Sequence, residues 1–173
     1  MKRLILTLVA VAAVCVAFAQ NYIVVNSEKV FKSIEAYNTA IREIDSLAER
    51  YQVQVDAKFR EVETLYNNYM PRKSTMSVAN QNAIENQILT LEREATKFQE
   101  SIFGTNGELM KRRIELIQPI QQRVFKVIEE YSNEKGYELV LDVAQNANVL
   151  FYSPKADHTQ AIIERMKLLF RNQ

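Results

Sequence analysis

Apolar residues recur through most of this chain at intervals of three and four, and only short stretches near its ends alternate with period two. From Tyr37 the apolar positions fall at Tyr37, Ile41, Ile44, Ala48, Tyr51, Val55, Phe59, Val62, Tyr66 and Tyr69, in steps of 4, 3, 4, 3, 4, 4, 3, 4 and 3. That spacing lays one apolar stripe along a helix, the seam of a coiled coil. The doubled four-residue step from Tyr51 through Val55 to Phe59 is a stutter, which unwinds a supercoil locally without ending the helix. The pattern stops in M-P-R-K-S-T-M-S, residues 70–77, where Pro71 lacks a donor and the Ser and Thr residues favour turns and helix N-caps. It resumes at Ile84, Ile88, Leu91, Ala95, Phe98 and Ile102. Two facing seams predict an antiparallel helical hairpin with Met70, Pro71, Arg72 and Lys73 at its tip. At 1.5 Å per residue, arm helices of about 35 residues span roughly 50 Å.

Gly104 and Gly107 interrupt the second arm in F-G-T-N-G-E, where the seam also shifts phase towards Leu109, Met110 and Ile114. Together they cost about 2 kcal/mol of helix propensity relative to Ala. They read either as a tolerated weak spot or as an arm hinge. Ile114, Ile117, Val124, Ile128 and Tyr131 keep helical spacing across Pro119. Burial of those side chains returns about 1.5–3 kcal/mol each against about 3 kcal/mol for an interior proline, so a kinked helix is expected over a broken one. Gly136 suits a left-handed helix cap.

The strand signals lie outside the hairpin. N-Y-I-V-V-N, residues 21–26, predicts a first strand, and N-S-E-K can start a short helix after it. Tyr137, Leu139 and Leu141 alternate in Y-E-L-V-L-D, and V-L-F-Y, residues 149–152, predicts a third strand forming a hairpin with the second. Asp157 with Gln160 three residues on resembles a capping box for a last helix whose apolar face is Ile162, Ile163, Met166, Leu169 and Phe170. On alternation alone, Ile23, Val25, Leu139, Leu141, Val149 and Phe151 are the candidate oligomer interface.

The first residues form an address. Lys2 and Arg3 precede an apolar run from Leu4 to Val16, and A-F-A, residues 17–19, supplies small residues at a cleavage site. A signal peptide of residues 1–19, cleaved after Ala19, predicts export to the periplasm. A lipoprotein anchor at Cys15 is disfavoured because Val14 before it is not small. Removing Lys2 and Arg3 from 22 basic residues leaves 20 against 21 acidic, and no cysteine. Disulfides and thiolate chemistry are then excluded, so stability must come from packing or assembly.

Composition narrows the chemistry further. The 173 residues include 3 Gly and 3 Pro, where roughly 12 and 9 are usual, so a many-stranded barrel or sandwich and a Gly-rich phosphate loop are both unexpected. His158 is the one histidine, with no second His or Cys in the mature chain to share a zinc ion. The acidic residues are interleaved with Lys and Arg, as a solvated coiled-coil exterior requires. No catalytic residue, cofactor or metal is expected. The basic clusters, Lys111-Arg112-Arg113 and the tip pair Arg72 and Lys73, read first as solvated and second as possible membrane-surface or lipid contacts. A net charge near zero argues against nucleic acid.

The order of parts, with I-V-V-N, P-I-x-x-x-V from Pro119 to Val124, G-Y-E-L-V-L-D and D-x-T at Asp157, resembles the OmpH-like family of periplasmic chaperones. Two residue-level features depart from what the resemblance suggests, the Gly104–Gly107 interruption and His158 where an aliphatic residue would be usual, and so does a mature net charge near −1 where a more basic chain is expected. The resemblance implies a homotrimer with a small strand body and three hairpin arms enclosing unfolded outer-membrane proteins without ATP. The combined expectation is an α+β, predominantly helical chain. Its single chaperone domain spans residues 20–173, with a body of about 20–36 and 112–173 and an arm of about 37–111. The expected function is an ATP-independent holdase and not an enzyme. The rival is a structural spacer or adaptor whose arms dock on a fixed envelope partner.

Overall fold

The computed structural model describes residues 22–144 and 148–171, with side chains through Leu169. Expectations for residues 1–19, for the linker 145–147 and for the Phe170 side chain lie outside this range. Strand β1 (Tyr22–Val25) is followed by the short helix α1 (Ser27–Lys32), whose start is fixed by Asn26: its side chain accepts the Lys29 N–H at 2.9 Å. Helix α2 (Glu35–Tyr69) then runs unbroken for 35 residues through the stutter. A tight 3-10 turn, Met70–Thr75, reverses the chain, and Ser77 caps helix α3 (Val78–Phe103) by accepting from the Asn80 N–H. Helix α4 (Glu108–Lys135) passes through Pro119 without ending, as the flanking apolar burial requires. It stops at Gly136, whose φ of +76° is the left-handed conformation that glycine adopts without steric cost. Strand β2 (Leu139–Asp142), a single 3-10 turn (Pro154–Ala156) and helix α5 (Thr159–Arg171) complete the chain.

Two units emerge from the packing, one made of the chain up to Asn38 and from Ile120 on, the other of Thr39–Pro119. In the first, β1 pairs in parallel with β2 in the register Tyr22 to Leu139 through Val25 to Asp142. Parallel strands need a long crossover, here all the helical chain between them. One sheet face, Ile23 and Val25, packs into a core of Val30, Ile34, Val124, Val127, Tyr131, Ile162 and Met166. The edge is tied further by the His158 N–H donating to Val24 O at 3.0 Å and the Asn26 N–H to Thr159 Oγ1 at 2.9 Å.

Two local expectations are corrected here. Val149–Tyr152 forms no strand and no hairpin with β2; among the described residues β2 pairs only with β1. The apolar run has no partner edge within one chain, because the parallel pairing with β1 occupies one side of β2 and V-L-F-Y does not fold back on the other. The capping box also fails to close: Asp157 accepts the Thr159 N–H at 2.9 Å, but Gln160 Nε2 donates forward to Glu164 at 3.2 Å.

The second unit is the helical hairpin. Glu43 and Arg112, Lys58 and Phe98, and Tyr69 and Glu85 face each other in turn, so each step outward along α2 meets a step back along the return helices. The buried positions outward of Val55 are Val55, Val62 and Tyr69 on α2, against Ile88, Ala95 and Ile102 on α3, each spaced by seven. This heptad seam is the hairpin's core.

Candidate binding and assembly surfaces

The seam does not use every aromatic residue that the sequence offered it. From Val55 onward the partly buried partner of Val62 and Tyr69 is Leu65, and Tyr66 turns out, 48% exposed. Phe59, a multiple of seven from Tyr66, turns out with it onto a shallow groove lined by Glu92, Arg93, Thr96 and Lys97 of α3. Seven residues are two helical turns, so Leu89, Thr96 and Phe103 form one stripe on α3 beside that groove. Phe59, Tyr66, Leu89 and Phe103 therefore make an exposed apolar strip along one side of the hairpin, bordered by charge. Leu89 and Phe103 fall outside the three-four spacing of Ile84 through Ile102. Their separation by two heptads was the available signal.

The tip is clasped by one carboxylate. Glu85 Oε1 accepts from Lys73 Nζ at 2.7 Å and from the buried Tyr69 hydroxyl at 2.6 Å, and the Lys73 ammonium lies over the Tyr69 ring. The hydrogen bond from Lys73 first, and that from Tyr69 second, hold Glu85 below the usual carboxylate range. Burial first, then the bond to Glu85, raises the Tyr69 phenol. Gln81 Nε2 adds hydrogen bonds to the carbonyls of Lys73 and Met76. Met70, Pro71 and Arg72 are exposed around this clasp.

Strand register sorts the six residues expected at an oligomer interface. Ile23 and Val25 are each 1% exposed and consumed by the chain's own core, which leaves them no surface to present. Burial does not alternate along β1, where Ile23, Val24 and Val25 are all buried, and the parallel register sets Ile23 beside Val140, and Leu139 and Leu141 beside Tyr22 and Val24. The two chosen sets are therefore on opposite sheet faces. Leu139 is exposed beside Tyr22, Leu141 and Val149 are half-buried, and Leu150 and Phe151 stand almost fully in solvent, Phe151 at 84%.

Asp142 anchors this sheet to α1. Its Oδ2 accepts the Ser27 hydroxyl at 2.5 Å, and its Oδ1 accepts the Ser27 N–H at 3.1 Å and the Ala144 N–H at 3.0 Å. Partial burial pushes its carboxyl up, but the three hydrogen bonds outweigh it and hold Asp142 below the usual carboxylate range. A depressed carboxylate contributes stability above its unfolded pKa, about 3.9, and loses it as pH falls through the folded value. The melting temperature of the parent is expected to fall more steeply than that of Asp142→Asn between pH 5 and 3. Asp142→Ala at pH 7 is expected to cost about 1 kcal/mol, the usual worth of a helix N-terminal acceptor. Parallel acid limbs in calorimetry would show that the contact carries no linkage.

His158 packs between two tyrosines, its Nδ1 2.6 Å from the Tyr131 hydroxyl and its Nε2 3.5 Å from that of Tyr137, with Arg165 stacked over Tyr131. Standing immediately before α5, it thereby links α4 to the residues between α4 and β2. Among the described residues no three His, Cys, Asp or Glu side chains group to hold a metal, and no helix is long and apolar enough to cross a membrane. Of the basic clusters, Arg112 is engaged by Glu43 and Glu115, and Lys73 by Glu85.

Gly104 and Gly107 bound the four residues between α3 and α4. The Gly104 N–H still reaches Glu100 O at 2.9 Å, and the Gly107 N–H reaches Gly104 O at 2.8 Å. A Cβ on Gly104 would collide with the Glu100 carbonyl and one on Gly107 with the Ile102 carbonyl, so this backbone path requires both glycines.

A model of the family described as outer membrane protein (OmpH-like) matches residues 21–166. Among solved structures, a crystal structure from Caulobacter crescentus CB15, described as an outer membrane chaperone (OmpH-like), shares the fold with a TM-score of 0.57. It is 15% identical over 86% of this chain and 85% of that chain. No curated protein matched significantly.

Proposed function

Because this chain belongs to the OmpH-like outer membrane protein family, we propose that it is a chaperone, and more narrowly an ATP-independent holdase that shields unfolded outer-membrane β-barrel proteins in the periplasm. The observation that carries the reading is the strip of Phe59, Tyr66, Leu89 and Phe103, bordered by Glu92, Arg93 and Lys97. An unfolded barrel strand alternates apolar and polar residues, which such a mixed surface accepts at any register. Each apolar contact is worth about 25 cal/mol per Å² removed from water. Many weak contacts hold a client against aggregation while leaving each one free to exchange, with no nucleotide consumed.

Assembly completes the proposed mechanism. Leu139, Tyr22, Leu150 and Phe151 give copies of this chain an apolar face to bury, and a homotrimer sets three hairpins around one client. The spacer alternative asks for a docking anchor at the tip, where the exposed residues are Met70, Pro71 and Arg72 and the aromatic Tyr69 is buried. Light scattering tests the proposal: an outer-membrane β-barrel protein diluted from urea is expected to aggregate freely alone and to stay clear with residues 20–173 and no nucleotide. Undiminished scattering with the chain folded and assembled would remove the holdase reading.

A further inference from the structure

Of the asparagines in this chain, only Asn106 is followed by a glycine, Gly107. The pair lies in the link between α3 and α4. Asparagine is among the chemically labile side chains, and a glycine after it has no Cβ to obstruct the approach of its own nitrogen to the side-chain amide. The Asn106 side chain is exposed and makes no hydrogen bond among the described residues. Asparagines elsewhere are held. Asn26 caps α1 through its side-chain carbonyl, and the N–H of Ser27 after it donates to Asp142. Asn38 donates to the Lys32 carbonyl. The helical asparagines, among them Asn67, Asn82 and Asn133, are each followed by an amide tied into the helix ladder.

One contact restrains Asn106. The Gly107 N–H donates to Gly104 O at 2.8 Å and closes a tight turn over Thr105 and Asn106. While that bond stands, the nitrogen keeps its proton and the turn fixes its direction.

We infer that Asn106 is a self-modification site of the hairpin, held in check by the Gly104–Gly107 turn and released when that turn opens. The Gly107 nitrogen gives its proton to hydroxide and forms a bond to Cγ of Asn106. The bond from Cγ to the side-chain nitrogen breaks, that nitrogen takes a proton from water and leaves as ammonia, and a five-membered succinimide remains. Water opens the ring at either carbonyl, giving aspartate or, where the main chain is rerouted through the side chain, isoaspartate. No group is oxidised or reduced. Either product adds a negative charge beside Glu108 at the start of α4. Isoaspartate also adds a backbone carbon to a link whose path leaves no space for a Cβ on either glycine, so the same turn is not expected to reclose.

The test needs neither client nor assembly, so its failure is distinct from a failure of the holdase reading. Residues 20–173 are kept in mildly alkaline buffer, folded in one sample and unfolded in guanidinium in the other, and digested at intervals for peptide mass mapping with isoaspartate detection. Asn106 is expected to convert ahead of every other asparagine in both samples. A reaction that passes through a local opening is slowed by the share of time the site is closed, so the folded sample is expected to convert about tenfold or more slowly. Asn106→Gln, which would have to close a larger ring, is expected to leave that peptide unconverted, and the unfolded sample reads this whether or not the variant folds. Conversion first at another asparagine, none at Asn106, or continued conversion in the Asn106→Gln peptide would overturn the site. Equal rates in the folded and unfolded samples would overturn the restraint by the turn.

Discussion

Leu139→Asp combined with Phe151→Asp is expected to reduce the sedimenting mass to that of one chain while leaving the helical signal and the melting of the single chain unchanged. Both side chains are exposed within one copy, Leu139 by 53%, so a carboxylate there costs little until a second copy must bury it. Burying an unpaired charge in an interface costs several kcal/mol per site, enough to dissociate an assembly at micromolar concentration. Ile23→Asp should behave in the opposite way. Ile23 is sealed among Val124, Ile162 and Met166, and a charge in that core is expected to cost more than about 4 kcal/mol and unfold the unit outright. Dichroism and sedimentation together separate the two outcomes. A folded, monomeric Ile23→Asp beside an unchanged Leu139→Asp, Phe151→Asp assembly would mean that the two sheet faces have been assigned the wrong way round.

The second large effect concerns the hairpin strip. Phe59→Ser, Tyr66→Ser and Leu89→Ser together are expected to raise the chaperone concentration needed for half-suppression of aggregation at least tenfold. Each removes about 1.5–3 kcal/mol of potential apolar contact with a client. The melting temperature should move little, because all three lie outside the Val55, Val62, Tyr69, Ile88, Ala95 and Ile102 seam. A control with Ser at Leu65 and Leu91, which pack against the seam, should lose stability first. Unaltered suppression by the triple variant would place client binding on another surface.

Much of this architecture is readable from residue spacing, for reasons that differ by element. The long helices, the turn at Pro71, the Ser77 and Asn26 caps and the left-handed Gly136 follow from local chemistry, and local rules govern elements whose hydrogen bonds close within four residues. Pairing of β1 with β2 is not local. Two four-residue strands separated by the whole hairpin carry no sequence mark of their register, so alternation identified two faces per strand without saying which face of one lies beside which face of the other. The same limit explains V-L-F-Y, residues 149–152, whose composition suits a strand but whose backbone finds no partner edge in one chain. In the hairpin, the regular three-four spacing placed Phe59 and Tyr66 in the seam. Past the stutter the packing phase shifts to Leu65, and the aromatics rotate outward to become the candidate binding strip.

The glycine pair illustrates a different point. As sequence it was ambiguous between a weak spot and a hinge, because propensity alone prices a glycine without saying where it sits. In the structure backbone carbonyls stand where a Cβ would go on either residue, so the path between α3 and α4 needs both glycines.

The central claim is that this chain holds an unfolded outer-membrane protein without nucleotide, and client fluorescence tests it most directly. The chain has no tryptophan, so tryptophan emission from a barrel protein diluted out of urea reports the client alone. Titration with residues 20–173 is expected to shift that emission to the blue and to saturate at one assembled oligomer per client, with the client still lacking folded-barrel β structure by dichroism. An emission spectrum that does not change across the titration, with the oligomer intact, would contradict the account.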